Sequence, residues 1–212
     1  MFQWGRESGT PILPIVSSAR LALVAEKLGA AAVVVEGKEA GGHLGTKESM
    51  RKILPEVRKA VKLPVIAAGG IIDGRDIVEA FKLGANGVQM GTRFAASEES
   101  GASREFKELY LRSNHEDVML MKSPVGLPGR ALRNQFLDRL NSGEDLSPEY
   151  CNACLKHCEG NFCIMDALEA ARLGDMENGL VFSGEFVQRI KEILPVKQIF
   201  KNLIAEAEAC PD

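Results

Sequence analysis

Pro64-Val-Ile-Ala-Ala-Gly-Gly-Ile-Ile-Asp-Gly-Arg-Asp76 is the segment from which the architecture is most directly inferred. Val65 to Ala68 form an apolar run without polar alternation, which is typical of a parallel strand covered on both faces. Gly69 and Gly70 end this strand, and a helix is predicted to follow. Because glycine has no Cβ, a ligand can approach the backbone closely, and the N–H groups of such a turn can point at an anion. The segment therefore predicts a strand, an anion-binding turn and a helix.

The pattern recurs one strand later, in Gly87-Val-Gln-Met-Gly-Thr-Arg-Phe94. Two consecutive strand ends that close on glycine are where a (β/α)8 barrel holds phosphate, after its seventh and eighth strands. We therefore predict that Gly69, Gly70, Gly91 and Thr92 bind a phosphate group. The alternative is that these are ordinary tight-turn glycines of an α/β protein.

The chain offers four βα units rather than the eight of a closed barrel. Strands are predicted at 11–16, 32–36, 65–68 and 87–90, each followed by a helix, at spacings of about 20 to 30 residues. The ten residues before the first strand cannot hold four more. We expect an α/β fold that is the C-terminal half of a TIM barrel, either N-terminally incomplete or completed by another copy or a partner.

The remainder of the chain has a different character. Residues 1–122 are predicted to form the partial barrel, and residues 123–212 a mainly helical C-terminal region. Within the latter, 123–129 is rich in turn residues and 130–140 is predicted to be a basic helix. The segment around Phe182 is expected to be an ordinary core strand or turn; the alternative is that Phe182 approaches the mouth of an active site. Residues 1–10 carry no helix-capping signal.

Composition excludes several classes of partner. A net charge of −3 and a pI near 5.8 give no electrostatic reason to expect nucleic acid or an anionic membrane surface. No apolar run reaches membrane-spanning length, and the N-terminus does not resemble a signal peptide. We therefore expect a cytoplasmic protein, in which cysteines are thiols or metal ligands rather than a disulfide framework.

Four cysteines are concentrated in one short segment of the C-terminal region. Cys151, Cys154 and Cys158 have the spacing of one helical face, Cys163 follows, and His157 lies alongside. Four thiols this close suit a zinc site or an iron–sulfur cluster. The alternative is a helix that packs its thiol face inward, because buried cysteines behave as small apolar residues.

A histidine follows the second predicted strand. His43 lies on the loop after Glu36, at the rim where barrel enzymes keep their catalytic groups. Gly41 and Gly42 would let it come close to a flat ligand. Glu36 is a candidate to orient His43 or to bond a ligand hydroxyl; capping or ion pairing is an equal alternative. His43 itself could instead be structural or merely exposed.

The helix predicted after the first glycine turn is a second source of phosphate donors. Its N-terminus at Asp73-Gly74-Arg75 would supply backbone N–H groups with a favourable dipole. Arg75 and Arg93 are nearby cations that could equally form salt bridges at the surface or at the bottom of the barrel.

Three segments, 33–43, 64–75 and 87–94, together resemble the nitronate monooxygenase family, formerly the 2-nitropropane dioxygenases. That family includes the similar FMN-dependent enoyl-ACP reductase II. The resemblance covers about residues 11–140, with three motifs in order at strand ends. It implies an FMN-binding (β/α)8 barrel in which His43 lies beside the flavin and the substrate. The phosphate of FMN would be held by Gly69, Gly70, Gly91 and Thr92.

The activity that the resemblance implies is oxidation of an alkyl nitronate with dioxygen. One alternative is reduction of an enoyl thioester with NAD(P)H as electron donor, and another is an inactive phosphate-binding fragment. A different phosphate-binding barrel enzyme, such as a nucleotide dehydrogenase or an isomerase, would require a loop cysteine or a carboxylate base at a strand end. Only Glu36 fits that requirement. Assembly of several copies stays open.

Overall fold

The computed structural model describes residues 1–151 and 153–211. Its strands are β1 (Ile15–Val16), β2 (Val33–Glu36), β3 (Gly42–His43), β4 (Val65–Ala68), β5 (Gly87–Gln89), β6 (Val118–Lys122) and β7 (Pro128–Leu132). Its α-helices are α1 (Phe2–Ser8), α2 (Ala19–Lys27), α3 (Met50–Ala60), α4 (Gly74–Lys82), α5 (Thr92–Ala95), α6 (Arg104–Arg112), α7 (Gln135–Asn141), α8 (Ile164–Leu173) and α9 (Val196–Glu208). Within these described residues, no helix is both long and apolar enough to span a membrane.

The chain divides into two compact units. The first unit contains Met1–Ala40, Gly45–Met90 and the residues from Phe200 onward. The second unit contains Gly41–Leu44 and Gly91–Ile199. The short segment that carries His43 therefore belongs to the second unit, although the residues on both sides of it belong to the first.

The first unit is built on a parallel sheet with the strand order β1-β2-β4-β5. This result confirms the predicted α/β class and the four parallel strands. Their apolar runs are continuous because helices cover the sheet and strand residues on both faces are buried. Val33, Val35, Val65 and Ala67 are fully buried on one face, and Val34 and Ala68 are buried on the other.

Helix α3 covers this sheet with a strongly apolar face. Ser49 caps it by accepting a hydrogen bond from the N–H of Arg51. The helix continues through Pro55, although a proline inside a helix removes one backbone hydrogen bond. Apolar side chains on both sides of the proline anchor it in the core, and these are Met50, Ile53, Leu54 and Val57.

The second unit contains an antiparallel sheet with the order β3-β7-β6. Strands β6 and β7 form a hairpin, and β3 pairs with β7 through Gly42 opposite Arg130 and His43 opposite Gly129. The predicted helix 130–140 was therefore wrong in its first half. Helix α7 begins only at Gln135, after Asn134 caps it by accepting from the N–H of Leu137.

The N-terminal residues also differ from the prediction. Phe2–Ser8 form helix α1 without a side-chain N-cap. Gly9 ends the helix in the left-handed conformation, with φ of 68°, and its N–H bonds back to the helix. The capping residue of this helix is thus Gly9 at its C-terminus, and no side chain caps its N-terminus.

Candidate functional site

His43 is held in the second unit by backbone pairing rather than on a free loop. Strand β3 places it opposite Gly129 of β7, and the N–H of Leu44 donates to the carbonyl of Pro128 at 2.9 Å. Backbone hydrogen bonds to strand β7 therefore lie directly beside the histidine. This pairing fixes the direction in which its imidazole leaves the chain, because strand side chains stand roughly perpendicular to their sheet.

The imidazole of His43 contacts a buried serine. Its Nε2 lies 2.7 Å from Oγ of Ser123, a residue 80 positions away that is fully buried. Partial burial lowers the pKa of His43 from its ordinary value, because desolvation disfavours the imidazolium form. Neutral imidazole is therefore the prevailing form at neutral pH.

An aromatic ring packs against the same imidazole. The ring centroids of His43 and Phe182 are 5.1 Å apart, with an interplanar angle of 73°. Phe182 is fixed in turn by a bridge to Ala131 of β7 and by the hydroxyl of Tyr110, which donates to its carbonyl. Burial raises the pKa of Tyr110, so its hydroxyl keeps its proton. Phe182, which is partly buried, thus packs beside the histidine.

Ser123 and Tyr110 were not predicted as site residues. Neither residue lies in a motif that suggests chemistry: Ser123 opens a turn-rich loop, and Tyr110 is an apolar-face residue of α6. Their role arises from contacts within the second unit, and no spacing of residues in the local sequence indicates it.

Close packing requires the glycines around His43. A Cβ on Gly41 would lie 2.6 Å from the carbonyl carbon of Ser183, and Gly42 has φ of 75°. A Cβ on Gly129 would lie 2.8 Å from Sδ of Met121. Gly41 therefore has a packing reason and Gly42 a backbone-conformation reason to be glycine, and their predicted approach to a ligand remains a prediction.

Arg130, the residue of β7 that follows Gly129, forms a buried ion pair. Nη1 of Arg130 is 3.0 Å from Oε2 of Glu185, and only 9% of the arginine side chain is exposed. Nε of Arg130 has no hydrogen-bond partner among the residues described. A charge buried this deeply depends on its partner, because water cannot replace the lost interaction.

The first glycine turn, in the first unit, has the predicted backbone. Gly69 and Gly70 have φ of 93° and 74°, a region that residues with a Cβ rarely adopt. A Cβ on Gly69 would lie 3.0 Å from the amide nitrogen of Ala40. Apart from strand pairing, no hydrogen bond in the described part of the chain uses the N–H of either glycine. These amides fit the role of phosphate donors.

The N-terminus of α4 does not fit that role, and its prediction as a phosphate site was wrong. The N–H of Gly74 donates to Oε2 of Glu206 at 2.8 Å. The side chain of Asp73 accepts from the N–H groups of Arg75 and Asp76. Carboxylates of the protein thus occupy the donors that an anion would need. A Cβ on Gly74 would also lie 2.4 Å from the carbonyl oxygen of Leu203.

The second glycine turn lies at the start of the short helix α5, in the second unit. Oγ1 of Thr92 accepts a hydrogen bond from the N–H of Gly184 at 2.9 Å, so its own proton is available for donation. A Cβ on Gly91 would meet no atom within 4 Å. Arg93 is buried and donates to the carbonyl of Glu192, so it is not the exposed salt-bridge residue that the sequence left open.

Glu36 is the last residue of β2, in the first unit. Burial raises the pKa of its carboxyl group above the ordinary value, because desolvation disfavours the charged form. A strand-end carboxyl group of this kind can donate or accept a hydrogen bond. Its predicted role toward a cofactor remains a prediction.

The cysteine segment does not form the predicted helix. Ala153 has φ of 49°, which a right-handed helix cannot contain, and the thiols of Cys151, Cys154 and Cys158 are exposed. They therefore neither share a helical face nor pack inward, and Cys163, which is partly exposed, precedes α8. Among residues 1–151 and 153–211, no group of histidine, cysteine or acidic side chains is arranged to hold a metal ion. The predicted zinc or iron–sulfur site is unsupported.

The fold is similar to that of two solved structures, each of which is longer than this chain. FabK from Thermotoga maritima aligns with a TM-score of 0.83 at 37% identity, over 96% of this chain and 63% of that one. Nitroalkane oxidase from Streptomyces ansochromogenes aligns with a TM-score of 0.77 at 30% identity, over 96% and 59%.

A probable nitronate monooxygenase of Staphylococcus aureus (strain JH9) is 31% identical over 208 residues, which are 94% of this chain and 57% of the relative. This chain thus spans less than two thirds of the length of that relative. The sequence model of the nitronate monooxygenase family matches residues 3–206, which is nearly the whole chain. Since the match includes the strands, both glycine turns and His43, the chain belongs to the nitronate monooxygenase family.

Proposed function

We propose that this chain is part of an FMN-dependent oxidoreductase that oxidises alkyl nitronates with dioxygen. The observation that carries the proposal is the family match over residues 3–206, within which His43 is a partly buried, neutral imidazole. The 30% identity to a nitroalkane oxidase supports the same class of nitrogen-containing substrate.

The proposed cofactor agrees with the chemistry of the first glycine turn. The N–H groups of Gly69 and Gly70 would donate to the phosphate of FMN, because phosphate-binding turns use bare backbone amides. The family resemblance assigns the same phosphate to Gly91 and Thr92, and ligand contacts to Glu36. When bound, the flavin supplies the redox chemistry, which no side chain of this protein provides.

The role of His43 is to bind and orient the substrate at its nitro group. A neutral imidazole can donate one hydrogen bond from its protonated nitrogen. A nitronate carries its negative charge on the two oxygens bound to nitrogen, so a donor at this position stabilises and orients the bound anion. The edge of Phe182 restricts rotation of the ring and so limits the directions in which His43 can donate.

The four parallel strands of the first unit are proposed to belong to half of a (β/α)8 barrel. Parallel pairing of β1, β2, β4 and β5 supports this, as does the likeness to longer chains. The other strands would be supplied by further polypeptide or by another copy. Assays of activity should therefore be made on the chain alone and on any longer form of the protein.

A second candidate is reduction of an enoyl thioester with NAD(P)H. The specific observation in its favour is that FabK, an enoyl-ACP reductase, has higher identity and a higher TM-score than the nitroalkane oxidase. The same FMN-loaded sample can be tested with both substrate classes. Oxygen uptake with an alkyl nitronate supports the first candidate. NAD(P)H oxidation that depends on an enoyl thioester supports the second.

The cofactor proposal is tested by adding FMN to the purified chain and measuring binding by flavin fluorescence. We expect saturable binding that Gly70→Val abolishes, because a side chain would both strain the turn and occupy the phosphate position. Gly143→Val is the matched control, since Gly143 also has positive φ, at 84°, and open space around it. Equal binding by the two variants would contradict the assignment of the turn.

The role of His43 is tested by His43→Ala. We expect turnover with the nitronate to fall far more than the affinity for FMN. Equal losses of turnover and of FMN affinity would mean that the histidine is only structural.

A further inference from the structure

We propose that Ser123 donates its hydroxyl proton to Nε2 of His43, so that neutral His43 carries its own proton on Nδ1 and meets its ligand as a hydrogen-bond donor. Ser123 is thus a positioning residue that selects the tautomer of the histidine. The observation behind the proposal is the 2.7 Å separation of Oγ and Nε2 inside the second unit, at a serine with no exposed surface.

The direction of this hydrogen bond follows from the other partners of the two groups. The N–H of Val125 approaches Oγ of Ser123 at 3.4 Å and can only donate, so it uses an oxygen lone pair. No acceptor other than His43 is found for the hydroxyl proton among the described residues. If Nε2–H donated to Oγ instead, the buried hydroxyl proton of Ser123 would have no acceptor, which is unfavourable for a group that water cannot reach.

The opposite nitrogen of the ring is available for a ligand. Nδ1 of His43 makes no hydrogen bond in the part of the chain that the structure describes. With Nε2 occupied by the serine proton, the lone pair of the neutral ring is used inside the protein. The atom that remains for a ligand is therefore the Nδ1–H donor.

A serine beside a histidine can also be a nucleophile and its base. Burial argues against that interpretation here, because Ser123 has no exposed surface from which to attack a substrate. The Nδ1 of His43 also lacks the carboxylate that orients the base in a catalytic triad, as far as the described residues extend. The pair is therefore a device that orients the imidazole.

This tautomer separates two roles that a histidine could have with a nitro compound. A neutral nitroalkane must lose a proton from carbon, which requires a base with a free lone pair. A nitronate has already lost that proton and needs only a donor for its anionic oxygen. On the basis of the proposed function, the Ser123 contact suits His43 to nitronates and poorly suits it to proton abstraction.

The tautomer can be measured directly by NMR on the full chain with 15N-labelled histidine, in neutral solution and without cofactor or substrate. His43→Asn identifies the signals of His43. We expect a protonated-type shift on Nδ1 and an unprotonated-type shift on Nε2. A protonated-type shift on Nε2 would overturn the proposal, and this measurement needs no variant of Ser123.

The contribution of the serine is tested with Ser123→Ala. We expect the proton of His43 to move to Nε2, and Ser123→Thr, which keeps a hydroxyl group, to restore it to Nδ1. Ser113→Ala is the matched control, because Ser113 is a buried serine of the same unit that donates to the carbonyl of Leu109. An unchanged tautomer in Ser123→Ala would overturn the proposal.

Activity provides a separate measurement that rests on the proposed function. Ser123→Ala should lower kcat with a nitronate roughly ten- to a hundredfold, the loss of one hydrogen bond to a charged group, with FMN affinity unchanged. If the NMR result holds while the FMN-loaded protein does not turn over nitronates, the proposed function fails and the Ser123 assignment stands. If the NMR result fails, the Ser123 assignment fails whatever the activity.

Discussion

The hydroxyl of Tyr110 donates a hydrogen bond to the backbone carbonyl of Phe182, the residue whose ring lies edge-on to His43. Helix α6 thereby fixes the chain segment that supports the histidine. The hydroxyl is buried, so its partner has no access to water as a replacement. This contact makes a residue of α6 part of the support of the candidate site.

Tyr110→Phe should destabilise the protein by about 1–3 kcal/mol, because it leaves the carbonyl of Phe182 buried and unpaired. The free energy of unfolding, measured by chemical denaturation, checks this value. Tyr150→Phe is the control, since Tyr150 is 77% exposed and should change stability little. Indistinguishable stabilities of the two variants would contradict the role given to Tyr110.

Gly129→Ala should destabilise the second unit by about 1–3 kcal/mol, the usual range for overpacking. The added Cβ would meet Sδ of Met121 at 2.8 Å and Cε1 of Phe182 at 3.1 Å. Gly101→Ala is the matched control, because no atom lies within 4 Å of its Cβ position. A midpoint of thermal unfolding that is the same for both variants would disagree with this packing.

Arg130→Met should cost about 3–5 kcal/mol, because it leaves the carboxylate of Glu185 partly buried without its partner. In the double variant with Glu185→Met, much of the loss should be recovered. Arg104→Met removes a pair of similar length at the surface, where the arginine side chain is 85% exposed, and should cost less than about 1 kcal/mol. A double variant no more stable than Arg130→Met would show that the carboxylate is not the source of the cost.

The histidine should make stability depend on pH in a defined direction. Burial lowers the pKa of His43 in the folded state below 6.5, so between those two values the unfolded chain binds more protons. The free energy of unfolding should therefore rise with pH through this window and level off above 6.5. The contribution of His43 to stability is lost as the pH falls through the same window. Chemical denaturation of the protein and of His43→Asn between about pH 5 and 7.5 isolates this contribution. A difference that falls with rising pH would contradict it.

Local sequence was sufficient for the parallel sheet and for the position of the histidine near a strand end. Strands Val33–Glu36 and Val65–Ala68 carry buried apolar residues on both faces, and this requirement appears directly in their residue types. The positive φ angles of Gly69 and Gly70 were predictable for the same reason, because few other residues adopt them.

The surroundings of His43 could not be predicted in this way. Ser123, Phe182 and Tyr110 are distant in sequence, and only the pairing of β3 with β7 and the contacts within the second unit bring them together. The cysteine spacing was misleading because periodicity alone does not exclude a left-handed residue such as Ala153. At the N-terminus of α4, the decisive partner was Glu206, more than a hundred residues away.

Strand β3 is only two residues long, and the hairpin strand β7 is its sole neighbour in the sheet as far as the described residues extend. A substitution that shifts β7 along its length would carry the imidazole with it, while the chemistry of the histidine itself stays the same. Substitutions within 118–132 could therefore redirect the imidazole of His43 while the histidine itself is unchanged.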